Sequence, residues 1–301
     1  MVGSPPLTRA MTTRLAEAVG EGVFPGAVLL AARRKEIVIL SHAGSRCLDP
    51  SMEPMTVDTV FDLASLTKPL ATGVALMKLV DGRKLDLDEP LWRVMELSPA
   101  PGMEETTSRM VLGHCGGFTD WMPFYRSLTL LNRNDRKKTL RRLLWSLPPA
   151  YRPGTRSLYS DPGYMLLEWV IEKCSGLTLD RLCADLYRSL GLKRTFLGRG
   201  SAPAELRDAD FAATEKCPWR GRVLRGEVHD ENASALGGWS GHAGLYGTAR
   251  EVYLLSQYVA DHYRGDRSGW VRPETARMFL SHGSSPCPGT FVLGWDTPTE
   301  G

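Results

Sequence analysis

The chain has 301 residues, 43% of them hydrophobic and 24% charged, with a formal net charge of +3. That composition fits one large or two small globular domains with a sizeable core, and the near-balance of charge argues against a nucleic-acid or membrane-surface partner. Six cysteines (Cys47, Cys115, Cys174, Cys183, Cys217 and Cys287) lie scattered without a C-x-x-C pair or a zinc pattern, the usage of a reduced chain rather than a disulfide framework. Residues 1–21 lack an unbroken apolar stretch of the signal-peptide kind, and no run approaches the length of a membrane span, so the expected location is cytoplasmic.

Leu7, Met11, Leu15, Ala18 and Val19 repeat at helical spacing, which predicts a helix over 7–20 ended by Gly22 and Pro25. Two apolar, β-prone runs follow, 27–32 and 37–41, separated by Arg33-Arg34-Lys35-Glu36: a hairpin without the usual turn glycine. A third short strand is expected over 58–63. From Leu66 the spacing turns helical through Leu70, Val74 and Met77, with Pro69 in the first turn and Gly82 as C-cap. Helices are predicted at 108–114, 139–147, 162–174 and 178–190, separated by proline and glycine clusters. β character returns at 236–247. Thr248-x-x-Glu251 reads as a capping box before a helix over 249–263. A further helix is expected at 273–281 and a strand start at 291–295. The implied plan is α+β: residues 1–80 and 236–301 form a discontinuous α/β part, 81–235 a mostly helical part, and the whole acts as one catalytic domain.

Ser65 and Lys68 make the only Ser-x-x-Lys in the chain. At i and i+3 they share a helix face, at a helix start whose free N–H groups and dipole favour negative charge. A serine hydroxyl is a weak nucleophile until a neighbour takes its proton, and an amine beside it is the minimal means. On its own the tetrapeptide reads more readily as an ordinary helix start, with a Ser N-cap followed by a solvated lysine.

The wider context carries more. Phe61-Asp62-Leu63-Ala64-Ser65-Leu66-Thr67-Lys68-Pro69-Leu70 resembles the active-site segment of the serine β-lactamase-like hydrolases, in the branch of class C β-lactamases, D-Ala-D-Ala carboxypeptidases, D-aminopeptidases and esterases. Phe24-Pro25-Gly26-Ala27, Lys84-Leu85-Asp86-Leu87-Asp88 and Leu112-Gly113-His114-Cys115-Gly116-Gly117-Phe118 extend the resemblance over most of the chain. Tyr159-Ser160-Asp161, after a Pro-Gly turn, is similar to the family's Tyr-Ser-Asn motif. It implies a tyrosine that assists the lysine as base and then protonates the leaving group. Asp161 stands where Asn is usual. A carboxylate there cannot donate an amide hydrogen bond; it can hold the lysine charged or pair with a cationic substrate. The plainer reading is that Asp161-Pro162 caps the following helix.

The remaining candidates weigh less. His114 is expected to be a packed, hydrogen-bonded histidine, and Cys115 a buried, inert thiol. The stretch Gly226 to Ala233 and the turn Gly237 to Tyr246 look like a polar loop and a turn bordering the cleft in a subgroup of the family, which makes His229 and His242 candidate substrate contacts beside Asp161. His229, Asp230 and His242 fit no standard zinc spacing, so no metal and no organic cofactor are expected. Ser240 in Gly238-Trp239-Ser240-Gly241-His242 lacks the final glycine of a nucleophile elbow. The family's third motif, Lys-Thr-Gly or His-Thr-Gly, follows a Leu-Gly-Trp-like strand. Leu293-Gly294-Trp295 occurs at the end of this sequence, so the last strands and C-terminal helix of the β-lactamase/transpeptidase-like fold are expected to be absent. The resemblance therefore implies a serine hydrolase acting on an ester, amide or β-lactam through an acyl-enzyme on Ser65, with Lys68 and Tyr159 as proton carriers. A small-molecule or peptide substrate is the expected partner. The alternative is a weak or inactive member that serves as a binding scaffold.

Overall fold

The computed structural model describes residues 5–298. Helix α1 (Pro5–Gly20) packs on the hairpin of β1 (Gly26–Arg33) and β2 (Glu36–Cys47), whose outer edge takes the short β3 (Glu53–Pro54). The β1–β2 pairing is antiparallel, with Gly26 opposite Gly44 and Arg33 opposite Glu36. The turn has no glycine because Arg34 and Lys35 adopt its left-handed conformation themselves, with φ of 51° and 69°, as a two-residue type I′ turn requires. The Lys35 ammonium is held by Asp261 and Asp266 at 2.9 Å each, and its carbonyl accepts a hydrogen bond from the Tyr253 hydroxyl at 3.0 Å.

After β4 (Phe61–Asp62) the chain enters a 3₁₀ turn (Ala64–Leu66), a π-helical stretch (Lys68–Gly73) and α2 (Val74–Asp81). The predicted single helix is thus three kinds of turn in succession, with the widened one starting at Lys68, where Pro69 has no N–H to give. Short helices α3 (Leu91–Val94), α4 (Ser108–Leu112) and α5 (Tyr125–Leu128) lead to α6 (Arg133–Ser146), α7 (Asp161–Ser175) and α8 (Leu179–Ser189). Then come β5 (Phe196–Leu197), the hairpin β6 (Ala213–Cys217) and β7 (Arg222–Arg225), α9 (Glu231–Ala235), β8 (Leu245–Gly247), α10 (Ala249–Arg264) and α11 (Pro273–Leu280). β8 lies between β4 and β5, antiparallel to both. The mixture of antiparallel sheet and helix is the expected α+β class.

Several boundaries differ from expectation. The segment 81–235 carries β5 and the β6–β7 hairpin besides its helices. Of 236–247 only the last three residues are strand, because the glycine-rich 237–244 stretch folds as a turn. Phe291–Trp295 starts no strand: Gly294 takes a φ of +90° and turns the chain back, leaving one bridge from Phe291 to Asp296. Helix α7 is capped by Ser160, whose hydroxyl accepts from Gly163 N at 3.1 Å. Asp161 is therefore the first helical residue rather than the cap, and its carboxylate is free for other work. The principal core joins both predicted parts: Leu76 and Leu112 pack with Leu167, Leu245, Phe279 and Leu293, all fully buried. All six cysteines are unpaired thiols. No helix of the described residues is long and apolar enough to cross a membrane.

Candidate active site

Ser65 is exposed at the mouth of a cavity of about 460 Å³ whose lining includes Leu63, Leu66, Lys68, Tyr159, Val252 and Trp295. The residue before it, Ala64, has a φ of +47°, a conformation that costs a side-chain-bearing residue about 1–2 kcal/mol. The turn is fixed on two sides. Leu63 N donates to Leu245 O at 2.8 Å; the Thr67 hydroxyl donates to Ala64 O at 2.6 Å and accepts from Leu245 N at 3.0 Å. Strand β8 thus frames the residues on both sides of Ser65. As the second residue of a helical turn, Ser65 has an N–H that the helix leaves without an internal acceptor, a donor of the kind an oxyanion needs.

Lys68 is 2% exposed, and its Nζ donates to Ser65 Oγ at 3.1 Å, Asp161 Oδ1 at 2.7 Å and His242 O at 3.4 Å. These three acceptors supply the pairing that a buried ammonium requires. They come from the Ser65 turn, the start of α7 and the turn before β8. The last is held in place by a separate network. Thr72 Oγ1 donates to Gly241 O at 2.6 Å, and Glu168 on α7 accepts from the Ser240 hydroxyl at 2.6 Å and from Gly241 N at 3.1 Å. Lys137 closes on Glu168 at 2.7 Å. Gly241 approaches α7 so closely that a Cβ there would lie 2.1 Å from Tyr164 O.

Tyr159 meets Lys68 through its ring: the ammonium stands 4.5 Å from the ring centroid. The shared proton traffic implied by the resemblance would run through the phenol oxygen; the contact present is a cation–π contact. His114 stacks against Tyr159 with centroids 4.5 Å apart, and its Nδ1 accepts from Ser160 N at 3.1 Å. Burial, with the nearby Lys68 charge second, pushes the His114 imidazole down to about 3. It is therefore a neutral, packed acceptor that positions the Tyr159-Ser160-Asp161 segment. Burial and the neighbouring Cys287 push the Cys115 thiol up to about 12, which leaves it inert as a nucleophile. Ser240, fully buried against Glu168, has no access to a substrate.

The three expected substrate contacts fall in different places. Asp161 is partly exposed beside Lys68. The His229 side chain is exposed, with Nε2 3.3 Å from Glu215. The His242 imidazole is 1% exposed and stands behind Lys68, its Nε2 2.9 Å from Asp230 Oδ1; only its carbonyl reaches the lysine. Burial would raise the Asp230 carboxyl, but His242, a backbone N–H and Lys68 hold it down at about 2. Asp161, Asp230 and His242 present ligand atoms within 4.8 Å of one another, a grouping reminiscent of a metal site. The Lys68 ammonium is the cation among them, and His242 Nε2 is already engaged.

Sequence reasoning missed Asp62, whose carboxylate accepts from Ala64 N at 2.9 Å and His229 N at 2.8 Å. Its only sequence signal is an Asp two residues before a turn. Glu168 carries no sequence signal of its place in the site, and Asp230 stands out in the sequence only beside His229 and His242, as a group whose spacing fits no zinc site.

A helical region closed on an antiparallel sheet, with Ser-x-x-Lys at the seam, defines a β-lactamase-like chain. The chain belongs to the Beta-lactamase family, whose model matches residues 11–296. It is 32% identical over 308 residues to the N-acetylmuramyl-L-alanine amidase of Bacillus subtilis (strain 168), covering 90% of this chain and 67% of that protein. It is 31% identical over 259 residues to a provisionally named D-alanyl-D-alanine carboxypeptidase of Salmonella enteritidis PT4 (strain P125109), covering 80% of this chain and 59% of the relative. The chain thus spans about three fifths to two thirds of these curated relatives. Among solved structures, the D-amino acid amidase of Ochrobactrum anthropi SV3 superposes with a TM-score of 0.68 at 23% identity, over 92% of this chain and 75% of that one. The octameric penicillin-binding protein homologue of Pyrococcus abyssi gives 0.69 at 21% identity, over 91% and 60%.

Proposed function

We propose that the protein is a serine hydrolase that cleaves an amide or ester through an acyl-enzyme on Ser65. The observation that carries this reading is the contact of the buried Lys68 ammonium with both Ser65 Oγ at 3.1 Å and Asp161 Oδ1 at 2.7 Å. An ammonium cannot take a proton until it has lost one. Asp161 offers the outlet: Lys68 passes a proton to the Asp161 carboxylate and takes the Ser65 proton as Oγ attacks the carbonyl carbon. The Ser65 N–H stabilises the oxyanion. Tyr159, on the cleft side of Lys68, protonates the leaving amine or alcohol, and water then attacks the acyl-enzyme by the same route in reverse. His229 and the exposed edge of Asp161 are the polar contacts for the substrate, and the wall of Leu63, Leu66, Val252 and Trp295 takes its apolar part.

The relatives' names, an amidase and a carboxypeptidase, favour an amide of a peptide or muramyl-peptide over a β-lactam. The six free thiols support a reducing compartment. Turnover of N-acetylmuramyl-L-alanine, D-Ala-D-Ala peptides and p-nitrophenyl esters, each with Ser65→Ala as control, tests the reading. Hydrolysis of one of them, abolished in the variant, is the expected result; hydrolysis that survives in Ser65→Ala overturns it.

A further inference from the structure

Asp62 occupies a position that the proposed chemistry does not use. It ends β4, half-buried, and among the described residues no lysine, arginine or histidine side chain forms an ion pair with it. Its two carboxylate oxygens instead accept two backbone N–H groups that lie far apart in sequence. Oδ1 takes Ala64 N at 2.9 Å, an Asx-type turn onto the residue two ahead. Oδ2 takes His229 N at 2.8 Å. Ala64 holds the left-handed φ of +47° directly before Ser65, a backbone state that persists only where the surroundings impose it. His229 precedes Asp230, whose Oδ1 receives His242 Nε2 at 2.9 Å, and the His242 carbonyl faces Lys68 at 3.4 Å. One carboxylate therefore braces the nucleophile's turn with one oxygen and the loop behind the lysine with the other.

We infer that Asp62 is a positioning residue for Ser65: it holds Ala64 in its left-handed conformation and couples that turn to the 226–233 loop. The inference rests on the reading of Ser65 as nucleophile. Burial raises the Asp62 carboxyl above its ordinary value against the pull of the two N–H donors, so the brace is an anion kept in an unfavourable setting. An asparagine cannot replace it. Its single oxygen satisfies one N–H, and its amide group then faces the other donor to donor. Glycine at 64 would adopt the same φ without strain and would need the brace less.

The test combines variants with a measurement on the unaltered chain. A fluorophosphonate probe gives kinact and Ki for Ser65. Asp62→Asn is expected to lower kinact by about 10- to 100-fold, the loss that follows small displacements of a reacting atom, with Ki little changed. Adding Ala64→Gly to Asp62→Asn is expected to recover at least about tenfold of that loss. An unchanged kinact in Asp62→Asn, or no recovery with Ala64→Gly, overturns the assignment. Should Asp62→Asn not fold, site-resolved amide exchange on the unaltered chain decides: strong protection at both Ala64 and His229 supports the brace, and free exchange at either contradicts it. If the unaltered chain takes no label at Ser65, the hydrolase reading fails, while amide exchange still reports on the Asp62 contacts.

Discussion

Lys68 Nζ and Asp161 Oδ1 form an ion pair of 2.7 Å, with the lysine side chain 2% exposed and the aspartate side chain 19% exposed. The pair ties the helical stretch after Ser65 to the first turn of α7. Removing one partner of a buried pair leaves an uncompensated charge, at a cost of about 3–5 kcal/mol. The partial exposure of Asp161 lets water reach the vacated space, so Asp161→Ala should lose about 2–3 kcal/mol. Asp161→Asn, which keeps an acceptor, should lose less in stability yet still slow acylation, because an amide cannot take the proton from Lys68. Urea denaturation midpoints and phosphonate labelling rates separate the two effects.

The depressed His114 imidazole makes the folded protein lose stability in acid. Its folded value of about 3 lies below the ordinary 6.5. Below pH 6.5 the unfolded chain therefore binds a proton that the folded chain refuses, and stability falls as pH drops from 6.5 towards 3. The slope from this one group is at most about 1.4 kcal/mol per pH unit. Its contribution is complete above pH 7. In His114→Gln, which can still accept from Ser160 N but does not titrate, the stability–pH curve should be flatter between pH 6 and 4 (roughly the window set by linkage). Denaturation midpoints measured across that range check it.

Gly241→Ala should be disproportionately damaging for a single methyl group. The added Cβ would lie 2.1 Å from Tyr164 O and 3.1 Å from Glu168 Cβ, so the 237–244 turn must shift. Overpacking of this kind costs about 1–3 kcal/mol. The same shift withdraws Gly241 O from Thr72 and His242 O from Lys68. A lower melting temperature together with slower Ser65 labelling is the expected outcome. Full labelling at wild-type rate would show that the turn does not position Lys68.

What could be read from the sequence follows the distance over which each contact acts. Ser65 and Lys68 are one helical turn apart, and Tyr159-Ser160-Asp161 is contiguous, so both left local signatures. The Asp62–His229 contact spans 167 residues and uses a backbone N–H, which leaves no trace in residue type at the far end. Glu168 looks like an ordinary helix residue until the turn carrying Gly241 is folded against it. The left-handed Arg34 and Lys35 were hidden for the opposite reason: residues that disfavour the conformation adopt it because Asp261, Asp266 and Tyr253 hold Lys35 there. The strand expected at 291–295 failed on one residue, Gly294, whose φ of +90° ends the extended run.

In the proposed chemistry Ser65 is the nucleophile and Lys68 its proton acceptor. Incubation with a fluorophosphonate followed by peptide mass mapping tests it most directly. A covalent adduct is expected on Ser65 in the 301-residue chain, lost in Ser65→Ala and slowed by about 100-fold or more in Lys68→Met, since general-base assistance is worth about 10²–10⁴. An adduct on another residue, or labelling of Ser65 at the same rate without Lys68, would contradict it.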